Sequence, residues 1–152
     1  MILLNIGCGP IKMEGVVNLD NNPDVEPDVL HDLEVTPLPF EDESVHGIIA
    51  SHVLEHIRNL PELLKELHRI LVPGGVLDIS VPHYLSPDAW GDLTHVRAFS
   101  EQSFFPVFWP GWTIAEYNEV KATKLSTYQE CTHLQVRLVK GEEKEEGDDG
   151  SN

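Results

Sequence analysis

Of 152 residues only two are cysteine, Cys8 and Cys131, and only ten are Lys or Arg against 26 Asp or Glu. Two cysteines cannot build a disulfide framework. No apolar run approaches the roughly 20 residues that span a bilayer. Met1 runs straight into Ile2-Leu3-Leu4 with no basic region or small-residue cleavage site, so no leader is expected and the chain reads as cytoplasmic with no membrane partner. The scarcity of basic residues bears on partners. Proteins that hold a phosphate backbone neutralise it with clustered Lys and Arg, and a net charge of −16 repels it, so nucleic acid is not an expected partner. Part of that acidity is local: past Lys140 lie six acids and one Lys, which leaves −11 for residues 1–140. Residues 141–152 are expected to be a disordered acidic tail on a single domain, 1–140. A chain of this length can bury about 70 % of its unfolded surface without a metal or disulfide.

The order of elements indicates an architecture. Ile2-Leu3-Leu4-Asn5-Ile6 is a short apolar run ended by Gly7-Cys8-Gly9-Pro10, a buried strand entering a tight turn. Val16–Asp20, Val29–Asp32 and Val45–Ser51 read as three further strands. A helix follows, with Asn59 as its cap and Pro61 in its first turn. Leu63, Leu64, Leu67, Ile70 and Leu71 form one apolar stripe, and Pro73-Gly74-Gly75 ends it. Val76–Val81 reads as a fifth strand. Strands separated by long crossovers imply a Rossmann-like, mostly parallel α/β sheet. Near the end, 113–117 and 133–139 both alternate, about 15 residues apart, and are expected to add a C-terminal antiparallel pair, giving seven strands.

In such sheets ligands bind beyond the carboxyl ends of the strands, so the residues there are the candidate site. Strand one ends in Gly7-Cys8-Gly9, strand two in Asp20, strand three in Asp32-Leu33 and strand four in Ser51-His52. Glycines permit close backbone approach to a ligand, and an acid ending the next strand can accept both hydroxyls of a ribose. The third glycine of Gly-x-Gly-x-x-Gly is missing, which argues against a dinucleotide. Only 13 residues separate Gly7 from Asp20, too few for a full helix between strands. The pattern suits a nucleoside whose 5′ side carries something other than phosphate.

Three stretches together, Pro37-Leu38-Pro39-Phe40-Glu41-Asp42-Glu43-Ser44, Ser51-His52-Val53-Leu54-Glu55-His56 and Glu66-Leu67-His68-Arg69-Ile70-Leu71-Val72-Pro73-Gly74-Gly75, resemble the small class I S-adenosylmethionine-dependent methyltransferases, especially the methyltransferase-11-like group. The resemblance covers about residues 2–140. It implies S-adenosyl-L-methionine as cofactor, with Gly7 and Gly9 near its methionine part and ribose and Asp20 on the ribose hydroxyls. Asp32 and Leu33 would face the adenine, and Ser51 and His52 the methionine end. Asn5 and Cys8 are counted with these cofactor-site candidates. Departures are the segment 10–15 in place of the usual helix after the glycine turn, Val45-His46-Gly47 in place of Phe-Asp, and the lack of N-terminal capping helices.

Asp92-Leu93-Thr94-His95-Val96-Arg97-Ala98-Phe99 also resembles a family signature, on the connection expected to cross the mouth of the site. Methyl transfer to an oxygen nucleophile benefits from a base with a pKa near 7, which points to histidine. His95 is the first catalytic candidate and His83 the second. The aromatics Phe104, Phe105, Phe108, Trp109 and Trp112 are expected either to line an acceptor pocket or dimer face or to pack the core. The expected acceptor is a small molecule or saccharide, and the expected assembly a monomer or homodimer. The main alternative is a cofactor-binding module on the same fold without transferase activity. A remoter one is a zinc-dependent hydrolase, because His52-Val53-Leu54-Glu55-His56 matches His-x-x-Glu-His. That motif needs both histidines on one stable helix, and Asn59-Leu60-Pro61 interrupts any helix begun at Ser51, so no metal site is expected.

Overall fold

A computed structural model describes residues 1–124 and 129–141. The expected acidic tail, from 142 onward, lies outside the described residues. Seven strands form one sheet: β1 (Leu3–Ile6), β2 (Val17–Asp20), β3 (Val29–Leu30), β4 (Val45–Ser51), β5 (Leu71–Pro82), β6 (Trp112–Lys124) and β7 (Gln129–Lys140). Their spatial order is β3-β2-β1-β4-β5-β7-β6. The first five are mutually parallel, while β7 runs antiparallel to β5 and to β6. The expected mostly parallel, seven-stranded α/β sheet with an antiparallel C-terminal pair is therefore present. The chain winds outward from β1 through β2 to β3, then returns to place β4 on the other side of β1. The switch in strand order thus falls between β1 and β4, where an open sheet leaves a crevice.

Helix α1 (Leu60–Ile70) packs on one face of the sheet. Its buried Leu63, Leu64, Leu67 and Ile70 join Leu4, Ile6, Ile48, Leu77, Ile79 and Leu138 in one core cluster. Each such side chain contributes about 1.5–3 kcal/mol by leaving water. Alternation puts Asp78 and Ser80 of β5 on the opposite face. There Asp78 lies opposite Arg137 of β7, which in turn lies opposite Glu116 of β6. Arg137 donates to both carboxylate oxygens of Asp78, at 2.6 and 3.0 Å. Toward β1 and β2 this second face is covered by the irregular segment 10–16 where the family's usual helix is missing. The segment is held by Asn18, whose side-chain amide donates to the carbonyls of Met13 and Val16 and whose Oδ1 accepts from the Met13 amide.

Several boundaries differ from expectation for identifiable reasons. Asn59 makes no side-chain cap to α1. The carboxylate of Glu34, 25 residues earlier, accepts from the Asn59 and Arg58 amides instead. Leu71 leaves the apolar helical stripe and opens β5, pairing with Val45. The ladder then skips Pro73-Gly74-Gly75 and resumes at Gly47 and Val76. Strands β6 and β7 extend well past their alternating segments, because the cross-strand ladder continues as far as the pair Lys124 and Gln129.

The 37–42 loop is fastened to α1 by charge. Glu66 accepts the Leu38 amide at 2.7 Å, and Arg69 donates to Glu66, to Asp42 and to the carbonyls of Leu38 and Phe40. Arg69, above all, holds the Glu66 carboxyl below its ordinary pKa of 4.5, and the same bond raises Arg69. A depressed carboxyl stabilises the fold above its unfolded pKa and loses that contribution as pH falls through the folded value. Arg69→Met is therefore expected to cost about 1–3 kcal/mol near neutral pH. Urea denaturation at about pH 6 and about pH 3 checks it: the gap between wild type and variant should narrow at the lower pH.

Candidate functional site: two cavities at the carboxyl edge

Beyond the carboxyl ends of β1, β2 and β4 lies a cavity of about 300 Å³ lined by Gly7, Asp20, Asp32, Leu33, His52 and neighbours on the same loops. Its floor depends on Gly7. With φ at +60°, that residue sits in a conformation glycine adopts without strain, and a Cβ there would lie 2.4 Å from Val53 Cγ2. Asp20 closes the next turn: its Oδ2 accepts the Gly9 amide at 2.8 Å and its Oδ1 the Asn22 amide at 2.9 Å. A carboxylate offers about four acceptor positions, so each oxygen retains one for an incoming hydroxyl. Asp32, by contrast, accepts the Glu34 amide through Oδ1 and leaves Oδ2 without a protein donor among the described residues.

Five of the nine sequence-predicted cofactor residues, Gly7, Asp20, Asp32, Leu33 and His52, thus line one cavity. The other four do not. Asn5 is buried within the sheet on the face opposite Leu4 and Ile6, where its amide donates to Asn18 at 3.1 Å. Cys8 is buried and its amide donates to the Leu19 carbonyl; burial raises its thiol pKa. Gly9 acts through the bond that orients Asp20. Ser51 faces a shallow hollow on the polar side of the sheet with Asp78, Ser80 and Arg137. Residues that sequence reasoning did not assign here are Asn21, His31, Glu34, Val53, His56 and Ile57. Their one sequence signal is adjacency to the strand-end acids and to His52.

A second cavity, about 540 Å³, adjoins the first, and His52 and His56 line both. Its other walls include Glu55, Asp88, Asp92 and His95. The segment after the short helix α2 (Pro87–Gly91) forms a strap across this region. The Val96 amide donates to the Glu55 carbonyl, and Arg97 Nη2 donates to the carbonyls of Ile57 and Arg58. The partners of Arg97 are backbone carbonyls, and burial lowers its pKa. The strap brings His95 against His56, ring centroids 4.7 Å apart. His83, the other catalytic candidate, is not among the cavity's lining residues. It is 6 % exposed, its Nδ1 accepts the Leu85 amide at 3.3 Å, and its Nε2 stands 3.7 Å from Glu101.

The His-x-x-Glu-His motif is not helical. Residues Leu54–His56 form a single 3₁₀ turn, and His52 precedes it at φ +52°, so His52 and His56 do not share a helix face. Glu55, above all, raises the pKa of His52, whose Nδ1 lies 3.4 Å from Glu55 Oε1. The aromatic run divides: Phe104, Trp109 and Trp112 are core, whereas Phe105 and Phe108 are exposed.

Residues 11–79 match a protein-family model described as a methyltransferase domain. The fold is similar to that of the methyltransferase in a Haloferax volcanii complex with the Trm112 methyltransferase activator. Identity is 17 % and the TM-score 0.74, over 94 % of this chain and 83 % of that one. It is also similar to a methyltransferase of Bacillus halodurans, with 15 % identity, a TM-score of 0.73 and 92 % of each chain covered. A third similar structure is the N-methyltransferase NodS of Bradyrhizobium japonicum in complex with S-adenosyl-L-homocysteine: 16 % identity, TM-score 0.69, 92 % of this chain and 78 % of that one. No curated protein matches the sequence. Gly7→Ala tests the close approach that shapes the first cavity: it is expected to destabilise the protein by about 1–3 kcal/mol, through strain at positive φ and overlap with Val53. A thermal or denaturant melt reads this, and Val53→Ala in the same chain should restore part of the loss.

Proposed function

From the premise that the chain carries a class I S-adenosylmethionine-dependent methyltransferase domain, we propose that the first cavity holds the cofactor and the second the methyl acceptor, a small molecule or saccharide. One observation supports the cofactor assignment: Gly7, Asp20, Asp32 and Leu33, drawn from three separate loops, line one hollow at the switch in strand order. Its volume is at the lower end for small-molecule pockets. Asp20 fits a ribose because both its oxygens are oriented by backbone amides and keep capacity for vicinal hydroxyls. Asp32, with Oδ2 spare, and Leu33 suit the amino group and face of a purine. His52, on the wall between the cavities, suits the methionine end. When bound, the cofactor supplies a methyl group already activated on a sulfonium.

The protein's part in the reaction is alignment and proton handling, and holding reactants in line supplies much of the acceleration. An acceptor in the second cavity lies across the His52–His56 wall from the first, a placement that permits in-line attack. His95 is the assigned proton acceptor. Its Nδ1 lies 3.1 Å from the Ala89 carbonyl, which can only accept, so Nδ1 carries the proton and Nε2 keeps its lone pair. A hydroxyl-rich acceptor fits the carboxylates of Asp88 and Asp92 on the wall of the second cavity. The binding-module alternative shares the first cavity and differs in turnover alone.

Two measurements test this reading. Calorimetry with S-adenosyl-L-homocysteine should give one site, and Asp20→Ala should weaken it by about 2–4 kcal/mol, the worth of two hydroxyl bonds to a carboxylate. Unchanged affinity would misplace the ribose. Turnover of S-adenosyl-L-methionine across a panel of hydroxylated acceptors should be found in the wild type and fall at least tenfold in His95→Ala with cofactor affinity retained. Cofactor binding without turnover on the panel would favour the binding module.

A further inference from the structure

We infer that Glu55, His56 and His95 form a site for one divalent transition-metal cation of the zinc and cobalt class. One donor atom from each residue lies within 4.8 Å of the others. Donors sharing an ion at about 2.0–2.2 Å stand no more than about twice that distance apart, so small side-chain rotations complete the set.

Three observations carry the assignment. The first is Glu55, which is 1 % exposed, with neither carboxylate oxygen hydrogen-bonded. An ionised carboxyl without partners is costly to bury, and a protonated one still needs an acceptor for its proton. His52 Nδ1, 3.4 Å away on a side chain that is 44 % exposed, makes no aligned hydrogen bond to it. A cation would satisfy both oxygens' missing partner at once.

The second observation is the state of the two imidazoles. Thr94 Oγ1 lies 2.6 Å from Asp92 Oδ1 and 2.9 Å from His56 Nδ1. The hydroxyl has one proton. Asp92 Oδ1 also accepts the Thr94 amide at 2.8 Å, so it is an acceptor and takes that proton. His56 Nδ1 must then be the donor to Thr94, which leaves the lone pair on Nε2. His95 Nδ1 is likewise occupied by the Ala89 carbonyl. Both rings are thus oriented through one nitrogen and offer the other, the arrangement that surrounding hydrogen bonds impose on metal-ligating histidines.

Third, the donors sit on the wall of the 540 Å³ cavity, so coordination positions beyond these three open into space. Two imidazoles and one carboxylate favour zinc, cobalt, nickel or iron over magnesium or calcium. The set differs from the His-x-x-Glu-His pattern: Glu55 is a ligand rather than a base, and His95, from the strap 40 residues on, replaces His52. The open positions would take a hydroxyl oxygen of the acceptor and ease its deprotonation. That last role rests on the transferase reading; the site itself does not. With the cation bound, His95 serves as a ligand rather than a free base.

The test uses the full chain, stripped with chelator and titrated with cobalt(II) chloride, then with zinc chloride. One cobalt per chain is expected, with visible bands of imidazole and carboxylate ligation, displaced by zinc and not by millimolar magnesium. Glu55→Gln and His95→Ala should each weaken cobalt binding at least tenfold. Thr94→Val, which removes the hydroxyl that links His56 to Asp92 and leaves the three donors in place, should weaken it about 10–100-fold. Glu101→Gln, in the second acidic and histidine cluster, should leave it unchanged. Glu55→Gln without metal should melt no lower than wild type, since a neutral amide replaces a buried carboxylate whose oxygens accept no hydrogen bond. Absence of the cobalt bands in wild type, or bands of wild-type strength in both ligand variants, would overturn the site. Homocysteine-cofactor calorimetry separates the two readings: Asp20→Ala should lose S-adenosyl-L-homocysteine and keep cobalt, and Glu55→Gln the reverse.

Discussion

The close approach of Gly7 to Val53 is the contact on which the rest of the carboxyl edge depends. The turn after β1 and the turn after β4 lie on opposite sides of the switch in strand order, and they meet without room for a Cβ between them. That contact sets the depth of the hollow between β1 and β4. It also fixes where the chain leaves β4, and so where His52, Glu55 and His56 stand. A side chain at position 7 would push these loops apart by more than the hollow's walls can absorb, because packed interiors transmit strain rather than dissipate it.

Around that contact the molecule secures its irregular segments with polar bonds. Segment 10–16 is secured by the side chain of Asn18, the 37–42 loop by the Glu66–Arg69 pair, and the strap by Arg97 on two carbonyls. Each device joins residues distant in sequence and leaves the backbone of a loop satisfied without regular structure. The result is a thin domain whose two cavities are bounded by loops. Their walls carry charge: three acids and three histidines face the second cavity, and one glutamate among them is buried with neither oxygen hydrogen-bonded. Such groups are retained at a cost in stability, which is why they point to chemistry.

The parallel core and its helix were legible in the sequence, because buried strands read as short apolar runs and an amphipathic helix as a 3.6-residue stripe. The strand-end acids were legible for a related reason: in this architecture ligand sites fall at strand ends, so Asp20 and Asp32 are located once the strands are. Asn5 and Ser51 fall outside the first cavity because strand alternation sends neighbouring residues to opposite faces, and membership of a motif does not say which face. Asn59 stands at the cap position without a side-chain cap bond, and its own amide is taken by Glu34 from another loop, a contact that leaves no local signal.

The sequence alone therefore determined the order of strands and helix, the apolar side of each, and the acids at the ends of β2 and β3, since all of these follow from local periodicity and turn chemistry. Tertiary structure decided which polar residues meet. His95 comes beside His56 only because Arg97 and Val96 tie the strap to the 55–58 turn. That neither buried oxygen of Glu55 accepts a hydrogen bond is a property of its surroundings that no window of residues records. Proximity across 40 residues of chain is set by packing and by the obligation to satisfy buried backbone groups, and neither is encoded by spacing.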